Sequence, residues 1–267
     1  MRLIAPTAEV HPTARLADDV EVGHFSVIGP GVTIGEGSMI GHHVVIHEDA
    51  LLGARCRVDD HAVIGKQPMR AARSATTDPR RQPGAYLADD VIIGTGAVLY
   101  AGSRIASRVL VADLATVRED VTVGEGTIVG RGVAIENGTS VGARCKLETN
   151  AYITAYSTIG DDVFVAPGVL TSNDRFLGRT EERFAQFGGP TVSRGARLAV
   201  GAILLPGVQV PSEAVVGAGA VLTRDAQEGK VHTGVPARAT RDVPDSHRLA
   251  QDEAEPDGAS GAETGEA

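Results

Sequence analysis

Ile, Leu or Val recurs at every sixth position of this chain through three unbroken runs, from Ile4 to Ile64, from Leu87 to Val165 and from Val192 to Leu222. Four residues after each aliphatic the chain is usually small or β-branched, as at Ala8, Ala14, Val20, Ser26 and Val32. Alternate residues of a strand share a face, so each hexad turns one large and one small side chain inward. A fixed period of six is the mark of a parallel β-helix. It is not the helical period of about 3.6, and the β-branched residues argue the same way. Three short strands and three corners make one triangular coil of 18 residues. The hexads therefore predict an all-β fold of about ten coils, roughly 50 Å tall at ~4.8 Å per coil.

The period lapses twice, at residues 66–86 and 171–191. Insertions of this length leave a solenoid at a corner as loops, where function often resides. The first loop holds Lys66, Arg70, Arg73, Arg80 and Arg81 against Asp78, and reads either as a phosphate-binding arm or as a solvated loop. The second carries Phe176, Phe184 and Phe187, three of the five Phe in the chain, and is expected to pack on a neighbouring subunit.

Charge adds a boundary. Of the net charge of −9, residues 244–267 supply the larger part, with seven acids against Arg248. That stretch has almost no aliphatic content, so residues 241–267 are expected to be a disordered acidic tail behind a β-helix domain over 1–240. Cys56 and Cys145 both occupy the small inward position, and 89 residues of separation puts them about five coils apart, too far to bridge. They read as reduced filler, and with no apolar run long enough to span a membrane the expectation is a cytoplasmic protein. Nothing in the charge pattern suggests nucleic acid.

Residues 18 apart stack in neighbouring coils, so corner columns follow from arithmetic. The densest polar patch is the column Glu119, Asn137, Ala155, Asn173, flanked by Asp120, Gly138, Tyr156, Asp174 and by Arg118, Glu136, Thr154, Ser172. His24 stacks on His42 and His43 on His61 by the same rule, at outward corner positions.

The repeats, the two loops and the closing Gly234-Val235-Pro236-Ala237-Arg238 resemble the hexapeptide-repeat acyltransferase superfamily across roughly residues 1–240. That resemblance implies a single left-handed parallel β-helix, a homotrimer with sites between prisms, and acetyl-CoA or an acyl carrier protein as donor. The stretch His11-Pro12-Thr13-Ala14 to Gly29-Pro30 is similar to UDP-N-acetylglucosamine O-acyltransferases. Asp161-Asp162-Val163-Phe164-Val165-Ala166-Pro167, Thr171-Ser172-Asn173-Asp174 and Arg194-Gly195-Ala196-Arg197 resemble N-acetyltransferases that act on nucleotide-linked amino sugars. The O-acyltransferase pattern has a catalytic His a few residues past an Asn-Ala pair. Here that segment runs Asn150-Ala151-Tyr152-Ile153-Thr154-Ala155, and Ala155 takes the place of the His. A hydroxyl nucleophile needs such a base at neutral pH; an amine needs it less.

The expected function is acetyl-CoA-dependent N-acetylation of a nucleotide-linked amino sugar by direct amine attack. The alternatives are a longer-chain acyltransferase using acyl carrier protein and a non-catalytic β-helix scaffold. Glu119 and Asn137 are expected to orient the amine or relay its proton, with Tyr156, Asn173 and Asp174 lining the acceptor pocket. The donor is expected along Gly201-Ala202 and Gly219-Ala220, with Arg224 or Arg238 near its phosphates. The histidine spacings do not form the three-His set of the metal-binding members of the same superfamily, so no metal is expected.

Overall fold

The computed structural model describes residues 3–72, 74, 77 and 80–250. Two-residue strands recur every six residues and pair in parallel with the strand three earlier, as Thr116 does with Ala134 and Ala134 with Tyr152. They build three faces of 13, 11 and 10 strands around a single aliphatic core. We call them the first face (Leu3–Ile4, Glu21–Val22, onward), the second (Glu9–Val10, Val27–Ile28, onward) and the third (Arg15–Leu16, Thr33–Ile34, onward). The first, second and third corners follow the face of the same number. The solenoid has about 12 turns rather than the expected ten. Part of the difference is a closing hairpin outside the hexad count, Lys230–Thr233 against Arg238–Asp242, which adds two strands to the first face.

The inward residues behave as their spacing requires. Ile28, Ile46, Ile64, Leu99, Ile135 and Ile153 stack behind the second face with almost no exposure. Each such side chain contributes roughly 1.5–3 kcal/mol through burial. Cys56 and Cys145 are buried free thiols in the small inward position, and desolvation pushes both thiols up.

Two glycine columns have different causes. From Val22 to Val216, away from the loops, the residue three places after each inward aliphatic has φ near +60°, whether it is Gly31, Gly37 and Gly126 or Phe25, Arg55 and Tyr156. The residue directly after the aliphatic is Gly where coils approach most closely. A Cβ on Gly124 would stand 2.4 Å from the carbonyl carbon of Gly142.

The third corner carries charges that alternate from coil to coil: Glu36, Arg55, Asp90, Arg108, Glu125, Arg144, Asp162, Arg194, Glu213. Arg55 Nε donates to Asp90 at 2.7 Å, Arg108 pairs with Glu125, and Arg144 and Arg194 reach Asp162 at 2.7 and 3.1 Å. These guanidinium bonds hold the carboxyls of Asp90 and Asp162 below their usual range.

The first corner carries the stacked histidines. The His24 and His42 rings lie 5.6 Å apart and the His43 and His61 rings 5.0 Å, while His42 Nδ1 accepts the backbone N–H of His24 at 2.8 Å. No group of three or more His, Cys, Asp or Glu among the described residues is placed to hold a metal ion, and no described helix is long and apolar enough to cross a membrane.

The chain does not leave the body at residue 240. Strand Arg238–Asp242 runs across that point, and the Leu249 N–H donates to Glu213 Oε1. The rest of the expected tail, 251–267, lies outside the described residues.

Two outcomes follow. Gly124→Ala should cost about 1–3 kcal/mol through overpacking, read by urea denaturation. Asp162 has a depressed pKa, so its share of stability is present above about pH 4, where an unfolded Asp ionises, and fades as pH falls through the folded value. Thermal midpoints of Asp162→Asn should therefore fall less steeply than wild type between pH 4 and pH 2.

Candidate functional site

The polar column lies on the second corner, and its backbone follows the 18-residue register: the Gly138 N–H bonds Glu119 O at 3.2 Å and the Tyr156 N–H bonds Asn137 O at 3.1 Å. Both interruptions leave from this same corner. The first follows the second-face strand Val63–Lys66 and the second follows Leu170–Thr171, so they bracket the column from either end. Their outer parts meet in a cleft between Arg70 and Ser74 of the first loop and Thr180 and Arg183 of the second. The first loop is fastened down by Gln67 and Gln82, which exchange two hydrogen bonds, and by Gln82 Nε2 donating to Asp120 Oδ2 at 3.2 Å.

At the centre is a guanidinium shared by two carboxylates. Arg118 donates from Nε and Nη2 to both oxygens of Glu119, at 2.8 and 2.9 Å, and from Nη1 to Glu136 Oε2 at 3.2 Å. Arg118 also lies over the Tyr100 ring at 4.8 Å and reaches Thr77 of the first loop at 3.4 Å. Glu119 is 1% exposed, whereas the Glu136 side chain keeps 25% exposure. Burial pushes the Glu136 carboxyl above the usual glutamate range, and Glu119 adds to this while Arg118 opposes it. Tyr152, on the neighbouring strand, has its phenol raised by burial and by Glu136.

The expected site residues separate into two groups. Glu119, Asn137, Ala155, Tyr156 and Asn173 come together on the corner. Glu119, however, is sealed behind Arg118 with both oxygens occupied, so it positions Arg118 and does not touch a ligand. The outward carboxylate is Glu136, which the column had placed only as a neighbour. Asp174 does not line a pocket: its carboxylate accepts the N–H groups of Phe176 and Gly178, each at 2.8 Å, and shapes the second loop.

The two stretches expected to offer backbone groups to the donor, Gly201-Ala202 and Gly219-Ala220, stack in neighbouring coils, where the Gly219 N–H bonds Val200 O at 2.9 Å. Gly201 and Gly219 are first-corner residues, Arg224 is an exposed second-corner residue, and Arg238 is exposed in the closing hairpin. Ala202 and Ala220 point into the core at 0% exposure and present no side chain to a ligand.

In the first loop, Lys66 lies over the Tyr100 ring and Arg81 pairs with Glu48, while Arg73 and Asp78 lie outside the described residues. In the second, Phe184 and Phe187 gather around Arg183, whose guanidinium lies 4.9 and 5.7 Å from their centroids.

Residues 13–48 match the family described as bacterial transferase hexapeptide (six repeats), and residues 120–155 and 195–224 match the hexapeptide repeat of succinyl-transferase. The chain thus carries hexapeptide repeats of these two families over part of its length. Curated proteins similar to this chain include the bifunctional protein GlmU of Rubrobacter xylanophilus, 32% identical over 104 residues, which are 39% of this chain and 20% of that protein. Galactoside O-acetyltransferase of Escherichia coli is 32% identical over 91 residues, 33% of this chain and 45% of that one. The matched part thus spans between a fifth and just under half of these relatives.

Among solved structures, the UDP-N-acetylglucosamine acyltransferase of Arabidopsis aligns with a TM-score of 0.56 at 19% identity, covering 90% of this chain and 74% of that one. The O-acyltransferase of Moraxella catarrhalis aligns at 0.54 and 16%, covering 91% and 76%. At these identities the likeness concerns the fold.

Removing the shared cation should expose how the site is held. Arg118→Met leaves the buried Glu119 carboxylate without its partner and should cost about 3–5 kcal/mol in chemical denaturation. Replacing both residues by apolar side chains should cost less than that single change.

Proposed function

We propose that the protein is an acyltransferase that moves an acetyl group from acetyl-CoA to the amine of a nucleotide-linked sugar, working as a homotrimer. The matches to transferase hexapeptide repeats and to curated acetyltransferases support the reaction class. The observation that carries the choice of acceptor is the second corner itself. Ala155 stands at its centre, 3% exposed, among carboxylates, an amide and hydroxyls. The histidines on this corner, His11 and His47, sit well away from it: His47 follows Val45–Ile46, three layers before Thr116–Val117, and His11 lies further still. A sugar hydroxyl must lose its proton to a base as it attacks, and imidazole is the usual one. An amine brings its own lone pair once a proton has left it, and a carboxylate serves for that. The relatives named for O-acylation are similar to this chain in fold, and the reading departs from them at Ala155.

The faces support association. Leu3, Met39, Ile92 and Phe164 on the first face and Val27, Tyr152 and Leu170 on the second are each more than a third exposed. The third face presents Arg15, Thr33, Thr122, Ser140, Thr158 and Gln209, with Leu51 and Tyr86 as its exposed apolar residues. Apolar patches repeated along two faces mark contact surfaces, and the second corner lies at the edge of one of them. A thioester donor and buried reduced cysteines both suit the cytoplasm.

Thiol release from acetyl-CoA tests the reading. With a UDP-linked amino sugar the rate should exceed that with the corresponding hydroxyl sugar by about 100-fold. Equal or faster turnover of the hydroxyl sugar would reject the amine acceptor. Release only from acyl carrier protein thioesters would move the donor assignment, and no release from either donor would favour a scaffold.

A further inference from the structure

Arg118 is one cation between two carboxylates, and it divides itself unequally. Glu119 takes two of its N–H groups in a bidentate pair and is closed to solvent. Glu136 receives a single bond at 3.2 Å on one oxygen, and its side chain stays partly open at the mouth of the corner. The three groups sum to one negative charge, and that excess sits on the residue a ligand can reach. Among the described residues, the groups facing it are Arg118 and Glu119 from the preceding coil and Tyr152 from the next, with Arg118 and Lys66 both lying over the Tyr100 ring. Among these, Arg118 is committed to Glu119. The local charge is thus suited to a cation small enough to enter between the two loops.

We infer that Glu136 binds the acceptor amine as its ammonium ion and takes the proton that frees the nitrogen for attack. The inference rests on the acyltransferase reading and gives that site its acceptor contact. An ammonium nitrogen bonded to the second oxygen of Glu136 restores neutrality to a half-buried group, which is the condition burial alone leaves unmet.

The bookkeeping of the step closes. The ammonium gives one proton to the Glu136 carboxylate, and the freed lone pair forms a C–N bond to the thioester carbonyl. As the C–S bond breaks, the nitrogen loses a second proton to the departing sulfur. The products are an amide and a thiol, and Glu136 returns its proton to solvent. The carboxyl of Glu136 is raised by burial, which brings its basicity closer to neutral pH and makes it a better proton acceptor there than an ordinary glutamate.

The test uses the full-length protein and Glu136→Gln, which keeps the shape and can still accept from Arg118, with thermal denaturation to check that the variant is folded. With acetyl-CoA and the UDP-linked amino sugar, kcat/KM should fall by about 100-fold and the acidic limb of the pH profile should move up to the titration of the free amine itself. Hydroxylamine is already unprotonated at neutral pH, so its acetylation should fall by less than about 10-fold in the same variant. Calorimetry without donor gives a reading independent of turnover: wild type should bind the amino sugar at least 10-fold more tightly than its hydroxyl counterpart, and Glu136→Gln should lose that preference. A folded variant that keeps the wild-type pH limb, or the same preference for the amine, overturns the assignment. If the wild type shows the preference but never releases thiol, the acyltransferase reading fails while the contact to Glu136 stands.

Discussion

The structure depends on one backbone constraint: from Val22 to Val216, away from the loops, φ lies near +60° three residues after each inward aliphatic. That rotation turns the chain through a corner after two residues of strand, and three such turns return it one coil higher. L-residues resist this conformation by roughly 1–2 kcal/mol each, yet Phe25, Leu114 and Tyr156 occupy it as well as glycines. The cost is offset by what the corner makes possible. Away from the loops and the closing hairpin, every strand finds a parallel partner at 18 residues, every inward side chain finds an apolar or small neighbour above and below, and every outward side chain is handed to a column.

Those columns account for the site. A solenoid has no natural cleft, since its faces are flat and its core is full. Here concavity comes from two loops that rise from the same corner, and chemistry comes from the coils between them. Arg118, Glu119 and Glu136 belong to adjacent coils, and their arrangement is inherited from a register that the core enforces. A pair of carboxylates around one guanidinium would be hard to hold on a mobile loop; on stacked corners the distance between their backbones is set by strand spacing.

Whatever depends on the register alone could be read by counting. The core, the buried cysteines, the histidine stacks and the column through Ala155 all follow from steps of six and 18. The common origin of the two loops was also there, because both lapses begin after a second-face strand. What counting does not reach is the direction a side chain takes once it leaves a corner. Glu119 and Glu136 stand in adjacent columns, and the count alone does not say that one folds back under Arg118 while the other faces outward. Asp174 turns on its own loop because two N–H groups two and four residues ahead offer it closer partners than any ligand. Ala202 and Ala220 each lie four places after an aliphatic and so point inward, which leaves their backbone groups alone to meet a ligand.

The alternating charges of the third corner have a consequence for how the chain finds its register. A core of repeated aliphatics looks the same after a slip of one coil, so hydrophobic burial cannot tell the correct stack from one displaced by 18 residues. The ladder can. Through its middle and upper coils, a displaced strand would set Arg against Arg and Asp against Glu where the native stack sets Arg55 against Asp90 and Arg144 against Asp162. Surface ion pairs contribute little to the depth of the native state, but along this edge they act as a ruler, marking each coil so that nearly identical repeats are assembled in order.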